Sequence, residues 1–299
     1  MWFARLNEEL KLLGYEQSKN DYSLFLKKTL DHIIIVAIYV DDIIVTGSDE
    51  AGITHFKEHL HSTFSIKDLG LLNYFLGIEI SHLPTGILMT RKKFTRELLQ
   101  DCPLTLTKLA KTPLPTTFKL HVDVGDPYPD PELYRCLVGK LNFLSHTRPD
   151  LSFAVQALSQ FMHHPLLPHI QALTHVLSYI SHTQGQGILL KATDQLTLQA
   201  YSDSDWASCP NTRRSITGYV LLLGNSPVSW KSKKQSTNSK SSSEAEYRAM
   251  AATALETTWL VRLLQELGVS HLQRVALNCD NMSAIHIGKN PVFHEEQST

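Results

Sequence analysis

The sequence predicts an α/β fold in which a helical stretch separates two sheet-forming parts. Three observations predict it. Two β-rich apolar runs, Ile33 to Val40 and Ile43 to Thr46, flank the acidic pair Asp41-Asp42. A proline-rich break over residues 112 to 130 precedes a mostly helical pattern over 131 to 183. From Leu196 onward the order strand, strand, strand, helix, strand, helix follows.

The elements follow in order. Phe3, Leu6, Leu10 and Leu13 share one face, so residues 2 to 14 read as an amphipathic helix stopped by Gly14. The two apolar runs around Asp41-Asp42 read as a tight hairpin. Residues 50 to 62 read as a helix, Leu72 to Ser81 and Ile87 to Thr90 as strands turned at Pro84-Thr85-Gly86, and 92 to 101 as a helix. Pro113, Pro115, Gly125, Pro127 and Pro129 then break any period, so 112 to 130 reads as a linker or long loop. The helical pattern beyond it is interrupted near Arg148-Pro149 and His163 to Pro168. Strands at 196–203, 216–224 and 227–231 precede a helix from Ser242 to Leu267, a strand from Val275 to Cys279 and a helix over 281–289.

A chain of 299 residues has room for two or three domains with cores of their own. Its 28 Lys plus Arg nearly balance 29 Asp plus Glu, so overall charge argues mildly against nucleic-acid binding. The charge is uneven, however. Between Arg213 and Lys240 stand six basic residues and no acid. Cys102, Cys136, Cys209 and Cys279 form no Cys-x-x-Cys pair, which argues against a zinc site or disulfide scaffold and for reduced, intracellular thiols. The first residues lack the apolar core of a signal peptide, and the longest apolar run is too short to span a bilayer. A cytoplasmic or nuclear location is therefore expected, with no membrane partner.

Two sets of acids carry potential chemistry. A tight turn brings Asp41 and Asp42 to one end of a sheet, close enough to share divalent cations; a solvated turn is an equally open reading. Further on, Asp203 lies in a strand, Glu246 in the long helix and Asp280 after the next strand. Brought together, three carboxylates can bind two Mg²⁺ ions, one activating water and one stabilising the leaving oxygen of a phosphodiester. Taken singly, each has an ordinary explanation in surface exposure, the helix dipole or capping. Asp205 shares a strand face with Asp203 and is a second choice. Glu244 points about 200° from Glu246, so both cannot face one site. Arg213, Arg214, Lys231, Lys233 and Lys234 suit phosphate contacts, with a solvated face as the equal alternative. Trp230 is expected to pack in the sheet. His55, His59, His61, His163 and His164 show no third ligand at metal spacing and are expected on the surface.

The segments Tyr39 to Gly47, Phe64 to Gly70, Tyr74 to Ile80 and Thr147 to Val155 resemble, in this order, those of copia-type retrotransposon Pol polyproteins. So do Tyr201 to Trp206, Ser241 to Ala249, Leu277 to Asn281 and Asn290 to Glu295. The resemblance runs almost from end to end. It implies a partial reverse-transcriptase palm at 1–112, a helical thumb or connection at 113–195 and a C-terminally truncated RNase H-like domain at 196–299. Tyr39-Val40-Asp41-Asp42 matches the Tyr-x-Asp-Asp box of the polymerase. Asp203, Glu246 and Asp280 match the RNase H acids of first strand, helix and fourth strand.

Mg²⁺ or Mn²⁺, two per site, is the implied cofactor. An RNA–DNA hybrid is the implied partner, with a longer Pol chain supplying missing parts. In the family's order a further palm aspartate and the fingers precede Met1, and Asp21 and Asp31 are poor substitutes. A fourth RNase H acid lies beyond Thr299, with Glu295 and Glu296 weak replacements. The polymerase is therefore expected to be inactive in these residues alone. Three readings stand: an enzyme-derived fragment, a non-catalytic remnant that at most binds nucleic acid or a partner, and a gene piece with no stable fold.

Overall fold

The structure, a computed structural model, describes residues 2–106, 110–115, 118–193, 195–269, 272 and 274–290. Glu295 and Glu296, with the stretch from Pro291, lie outside them. The chain divides into two compact units, Met1–Phe75 with Glu256–Arg274, and Leu76–Leu255 with Val275–Thr299. Among the described residues no helix is long and apolar enough to cross a membrane.

In the first unit, α1 (Trp2–Leu12) and α2 (Glu50–Phe64) accompany a four-stranded antiparallel sheet. Its strands β1 (Glu16–Gln17), β2 (Leu24–Lys28), β3 (Ile33–Tyr39) and β4 (Asp42–Gly47) pair in sequence order. Strand β3 alternates because Ile34, Val36 and Ile38 turn inward. They meet Leu6 and Leu10 of α1 and Phe56 and Leu60 of α2 in one core. Asp49 caps α2 by accepting from the Gly52 N–H at 2.8 Å, and Ser65 ends it in the left-handed region at φ 57°. The short strand β5 (Tyr74–Phe75) ends the first of the two segments of this unit.

Sequence periodicity predicts one strand over 72–81, but the structure breaks it. Leu76 (φ 49°) and Gly77 (φ 78°) both turn left-handed, and β6 (Ile78–Leu83) starts after them. An added Cβ on Gly77 would meet the Phe143 ring at 2.9 Å, so a close approach as well as the φ requires glycine there. Strands β6, β7 (Gly86–Thr90) and β8 (Ile188–Lys191) pair antiparallel, and α3 (Lys92–Gln100) follows β7. The helices α4 (Pro131–Leu144), α5 (Ser152–Ser159) and α6 (Leu167–His182), with α3, enclose the larger core. Leu98, Tyr134, Leu141, Leu158, Leu173 and Leu177 sit in it, each 1 % exposed or less. Pro131 at the first helical position and an Asp130 side chain accepting from Leu133 N–H start α4. The proline-rich stretch has no helix or strand among its described residues, yet it is docked. Leu167 N–H donates to Asp126 O at 2.8 Å, and Tyr128 N–H to Pro165 O at 2.9 Å.

His169 on α6 belongs to this core. Its Nδ1 accepts the Leu166 N–H and its Nε2 donates to His121 O, both at 2.9 Å, and the ring stacks on Phe161. Burial lowers its pKa from the ordinary 6.5, the His121 bond opposes that shift and the His164 charge adds to it. The folded state therefore binds fewer protons than the unfolded chain as pH falls below about 6.5. Stability is expected to hold above that pH and to decline below it, down to the lowered pKa. Urea midpoints at pH 7.5 and 5.5 check this. A slope that His169→Gln leaves undiminished would refute it.

The remaining elements are β9 (Leu198–Asp205), β10 (Ile216–Leu223), β11 (Ser226–Lys234), α7 (Ser242–Glu266), β12 (Ala276–Asn278) and α8 (Met282–Lys289). The sheet order is β11-β10-β9-β12, antiparallel except that β12 runs parallel to β9. The residues of α7 through Leu255 belong to the second unit and those from Glu256 to the first. Within the first unit, Glu266 accepts from Ser18 Oγ, Lys19 N–H and Asn20 Nδ2 at 2.6–3.1 Å.

Two candidate carboxylate sites

In the first unit the register Tyr39↔Asp42 leaves Val40 and Asp41 as a two-residue turn. Val40 takes φ 55°, a region where a β-branched residue is strained and where tight hairpin turns usually place glycine or asparagine. The Trp2 indole N–H donates to Val40 O at 3.2 Å, and the Trp2 ring packs edge-on against Phe64. Helix α1 thus pins the hairpin tip. Asp41 and Asp42 are both exposed there. Among the described residues no third acid, histidine or cysteine joins them in a ligand cluster. Backbone strain of this kind costs about 1–2 kcal/mol. Val40→Gly is expected to recover about 1 kcal/mol of it, read as a raised urea midpoint. A lowered midpoint would show that the valine side chain contributes more than its backbone loses.

In the second unit Asp203 and Asp205 lie on the exposed face of β9, while Ser202 and Ser204 lie on the covered face. Strand β12 is parallel to β9 with Asn278 opposite Tyr201, so Asp280, two residues on, comes level with Asp203. Asn281 caps α8 by accepting from Ala284 N–H, which leaves Asp280 free of the capping role. Glu246 enters from the first turns of α7 and is 5 % exposed. Its Oε1 accepts the Ser204 backbone N–H at 3.0 Å, and its Oε2 accepts the Cys279 thiol at 3.7 Å.

Glu246, Cys279 and Asp280 each present an atom within 4.8 Å of the others. Asp203 is not a member of that cluster. Its charge still acts on Glu246. Burial raises the Glu246 pKa, the Ser204 N–H lowers it, and Asp203 and Asp280 raise it again, with a net upward shift. Asp205 is raised by burial and then by Asp203, against a lowering by Lys119. Cys279 was missed by sequence reasoning; its adjacency to Asp280 at a strand end was the available signal. Burial raises its pKa against the Asn281 backbone bond, and Glu246 raises it further, so it stays a thiol and donates. Glu244 is engaged elsewhere, with Lys240 N–H and Arg248.

The five basic candidates do not share one setting. Arg213 and Arg214 sit in the β9–β10 loop, whose backbone closes between Cys209 and Arg213 and between Cys209 and Arg214. Lys231 and Lys233 are exposed on the edge strand β11. Lys234 is engaged, donating to Gln160 Oε1 at 2.6 Å. Trp230 packs, with its indole N–H on Ser145 O at 3.2 Å. Among the histidines, His59 meets Glu9 and His61 meets the Ile66 carbonyl.

The mixed α/β architecture is consistent with a reverse-transcriptase domain. Residues 1–116 match the family described as reverse transcriptase (RNA-dependent DNA polymerase). The chain is 41% identical over 98% of its length to the retrovirus-related Pol polyprotein from transposon RE1 of Arabidopsis thaliana. It is 31% identical over 98% of its length to that from transposon TNT 1-94 of Nicotiana tabacum. The chain spans about a fifth of these polyproteins, 20% of the first and 23% of the second. An uncharacterized mitochondrial protein of Arabidopsis thaliana is 43% identical over 74% of the chain, a match covering 92% of that protein. The chain belongs to the copia-type retrotransposon Pol family and carries its reverse-transcriptase domain.

Proposed function

We propose that the second unit carries an RNase H-like nuclease that cleaves the RNA strand of an RNA–DNA hybrid, and that Asp41 and Asp42 are the polymerase pair of the same Pol protein. Under this reading the parts are a palm over 1–112, a thumb or connection over 113–195 and the nuclease over 196–299. The observation that carries the nuclease is the meeting of Glu246 with Asp280 within 4.8 Å at the level of Asp203. It is supported by the parallel pairing of β12 with β9, which puts Asp280 level with Asp203, and by the Glu246 carboxylate accepting the Ser204 N–H of β9.

The donor set suits a hard divalent cation, since Glu246 and Asp280 offer carboxylate oxygens while Cys279 stays protonated. Burial first, and then the charges of Asp203 and Asp280, raise Glu246, and such a cation offsets both. Bound Mg²⁺ or Mn²⁺ would activate water and stabilise the leaving oxygen. Asp203, Glu246 and Asp280 would hold it, and the Ser204 N–H and Cys279 thiol fix the Glu246 carboxylate. Arg213, Arg214, Lys231, Lys233 and Lys234 would contact phosphates of the hybrid. A longer Pol chain is the context in which both sites work.

The test is incubation of purified protein with a labelled hybrid, beside Asp203→Asn and Asp280→Asn. Weak, Mn²⁺-favoured cleavage that both variants abolish is expected. Cleavage that survives both would remove the nuclease. A second reading is a non-catalytic remnant, and the place of Asp203 outside the 4.8 Å cluster favours it. Hybrid binding without cleavage, weakening with salt, is its signature.

A further inference from the structure

The ligand atoms that converge in the second unit are not three carboxylates. They are one oxygen each of Glu246 and Asp280 and the Cys279 sulfur, all within 4.8 Å of one another, with Asp203 outside the set. One donor of the three is therefore soft. Mg²⁺ and Mn²⁺ take oxygen ligands and leave such a thiol protonated. Zn²⁺ and Cd²⁺ take a thiolate and carboxylates together.

The spacing fits the second kind of ion. Zn²⁺ holds a thiolate at about 2.3 Å and a carboxylate oxygen at about 2.1 Å, so these two ligand atoms of a tetrahedral site stand about 3.6 Å apart. Glu246 Oε2 and Cys279 Sγ stand 3.7 Å apart. The Asp280 oxygen, within 4.8 Å of both, needs a shift of about 1–2 Å to close the set. Asp280 is exposed and leaves the cap of α8 to Asn281, so its side chain has room for that shift. The supporting contacts are those of an oriented ligand set. The Ser204 N–H fixes the other Glu246 oxygen at 3.0 Å, and the Asn281 backbone N–H meets the Cys279 sulfur. Glu246 is buried, Cys279 half-buried and Asp280 exposed, so the cluster is closed on one side and open to water on the other. Water can then fill the fourth position of a tetrahedral ion. The plainer role for Cys279 is to hold Glu246 by donation. A thiol is a weak donor for that task, and the task makes no use of the nearby Asp280. Cys-x-x-Cys spacing is no guide to such a site, because the partners of the cysteine are carboxylates from α7 and from the β12–α8 turn.

We infer that Glu246, Cys279 and Asp280 form a site for a thiophilic divalent cation of the zinc class, which shuts out the hard cation that cleavage needs. On binding, the Cys279 S–H bond breaks, the sulfur gives its electron pair to the cation and the proton leaves to solvent. No oxidant or reductant takes part. The binding stands by itself. Its inhibitory consequence rests on the nuclease reading, because both ions need Glu246 and Asp280.

The test is titration of the full chain with Cd²⁺, read by the ultraviolet sulfur-to-cadmium charge-transfer band, which carboxylates do not give. Cys279→Ser should remove the tightest transition. Asp280→Asn, at an exposed position, keeps the thiol and should weaken that transition about tenfold or more. Cys136→Ser, which removes an exposed thiol outside the cluster, should leave it unchanged. A tightest transition that survives Cys279→Ser, in a protein with a native circular-dichroism spectrum, overturns the inference. So does one that Asp280→Asn leaves unchanged, which would mark a thiol collecting cadmium without the carboxylates. In the hybrid assay Zn²⁺ should inhibit cleavage, and Cys279→Ser should need about tenfold more of it. If the cadmium band depends on Cys279 and Asp280 while cleavage ignores Asp280, the cation site stands and the nuclease falls. If cleavage depends on Asp280 while the band ignores Cys279, the nuclease stands and the cation site falls.

Discussion

Asp150→Ala is expected to destabilise the second unit by about 3–5 kcal/mol, the usual cost of stranding a buried charge. Arg148 is 1 % exposed, among the largest side chains fully enclosed by the core. Its Nε and one terminal nitrogen bind Asp150 in a fork at 2.9 and 2.7 Å. The same guanidinium donates to Thr183 O and Thr183 Oγ1, both at 2.9 Å, and so ties the start of α5 to the end of α6. Tyr179 OH completes the set by donating to Asp150 at 3.0 Å. Removing the carboxylate leaves the guanidinium with neutral acceptors alone and the Tyr179 hydroxyl without its acceptor. Arg148→Met with Asp150→Ala removes both charges and should recover more than half of the loss. Urea denaturation of the two single variants and the double variant measures the coupling. A loss below about 1 kcal/mol for Asp150→Ala would show that water reaches Arg148.

This ion pair marks a boundary between what the sequence reveals and what it hides. Thr147-Arg148-Pro149-Asp150 was visible as a family-like segment, but its meaning there was recognition alone. Its physical role depends on Thr183, which stands 35 residues away. The strands show the same pattern. The β3–β4 hairpin was readable because its apolar runs and its turn are adjacent. Strand β2 was missed because Leu24–Lys28 ends in two lysines and becomes a strand through its pairing with β3. Strand β8 was missed because its partner β7 lies about a hundred residues earlier in the chain. The proline-rich stretch was expected to be a linker or long loop, and its described residues form no helix or strand. What the sequence did not show is that it is clamped by Asn211, whose side chain accepts from Val122 N–H and donates to Leu120 O.

The acids divide along the same line. Strand–helix–strand order together with the family resemblance suggested Glu246 and Asp280, and their carboxylates come within 4.8 Å of one another. Order alone could not say that Asp203 stands on the exposed face while Glu246 is buried. Nor could it reveal Cys279 as the donor to Glu246. Face and burial depend on which helix covers the sheet, and that is a tertiary fact.

Glu246→Gln is expected to move stability and ion response in opposite directions. In the wild-type chain Glu246 is buried and stands within reach of two like charges, and burial first, then Asp203 and Asp280, hold its pKa above the ordinary 4.5. A carboxyl with a raised folded pKa takes up protons on folding. Its contribution is favourable below about 4.5 and is lost as pH rises through the folded value, so the full penalty is present at neutral pH. Glutamine keeps an oxygen for the Ser204 N–H and carries no charge. Without divalent ions the variant should therefore be more stable than wild type at pH 7, by on the order of 1 kcal/mol. Saturating Mn²⁺ should reverse the order. A ligand at a hundred times its Kd stabilises a fold by about 2.7 kcal/mol, and the variant loses one of the two clustered carboxylates needed to bind it. Thermal unfolding with and without Mn²⁺, at pH 4.5 and 7, reads all four states. Equal Mn²⁺ shifts in both proteins would place the cation elsewhere, and a variant that is less stable at pH 7 without ions would show that the hydrogen bonds to Glu246 outweigh its repulsion.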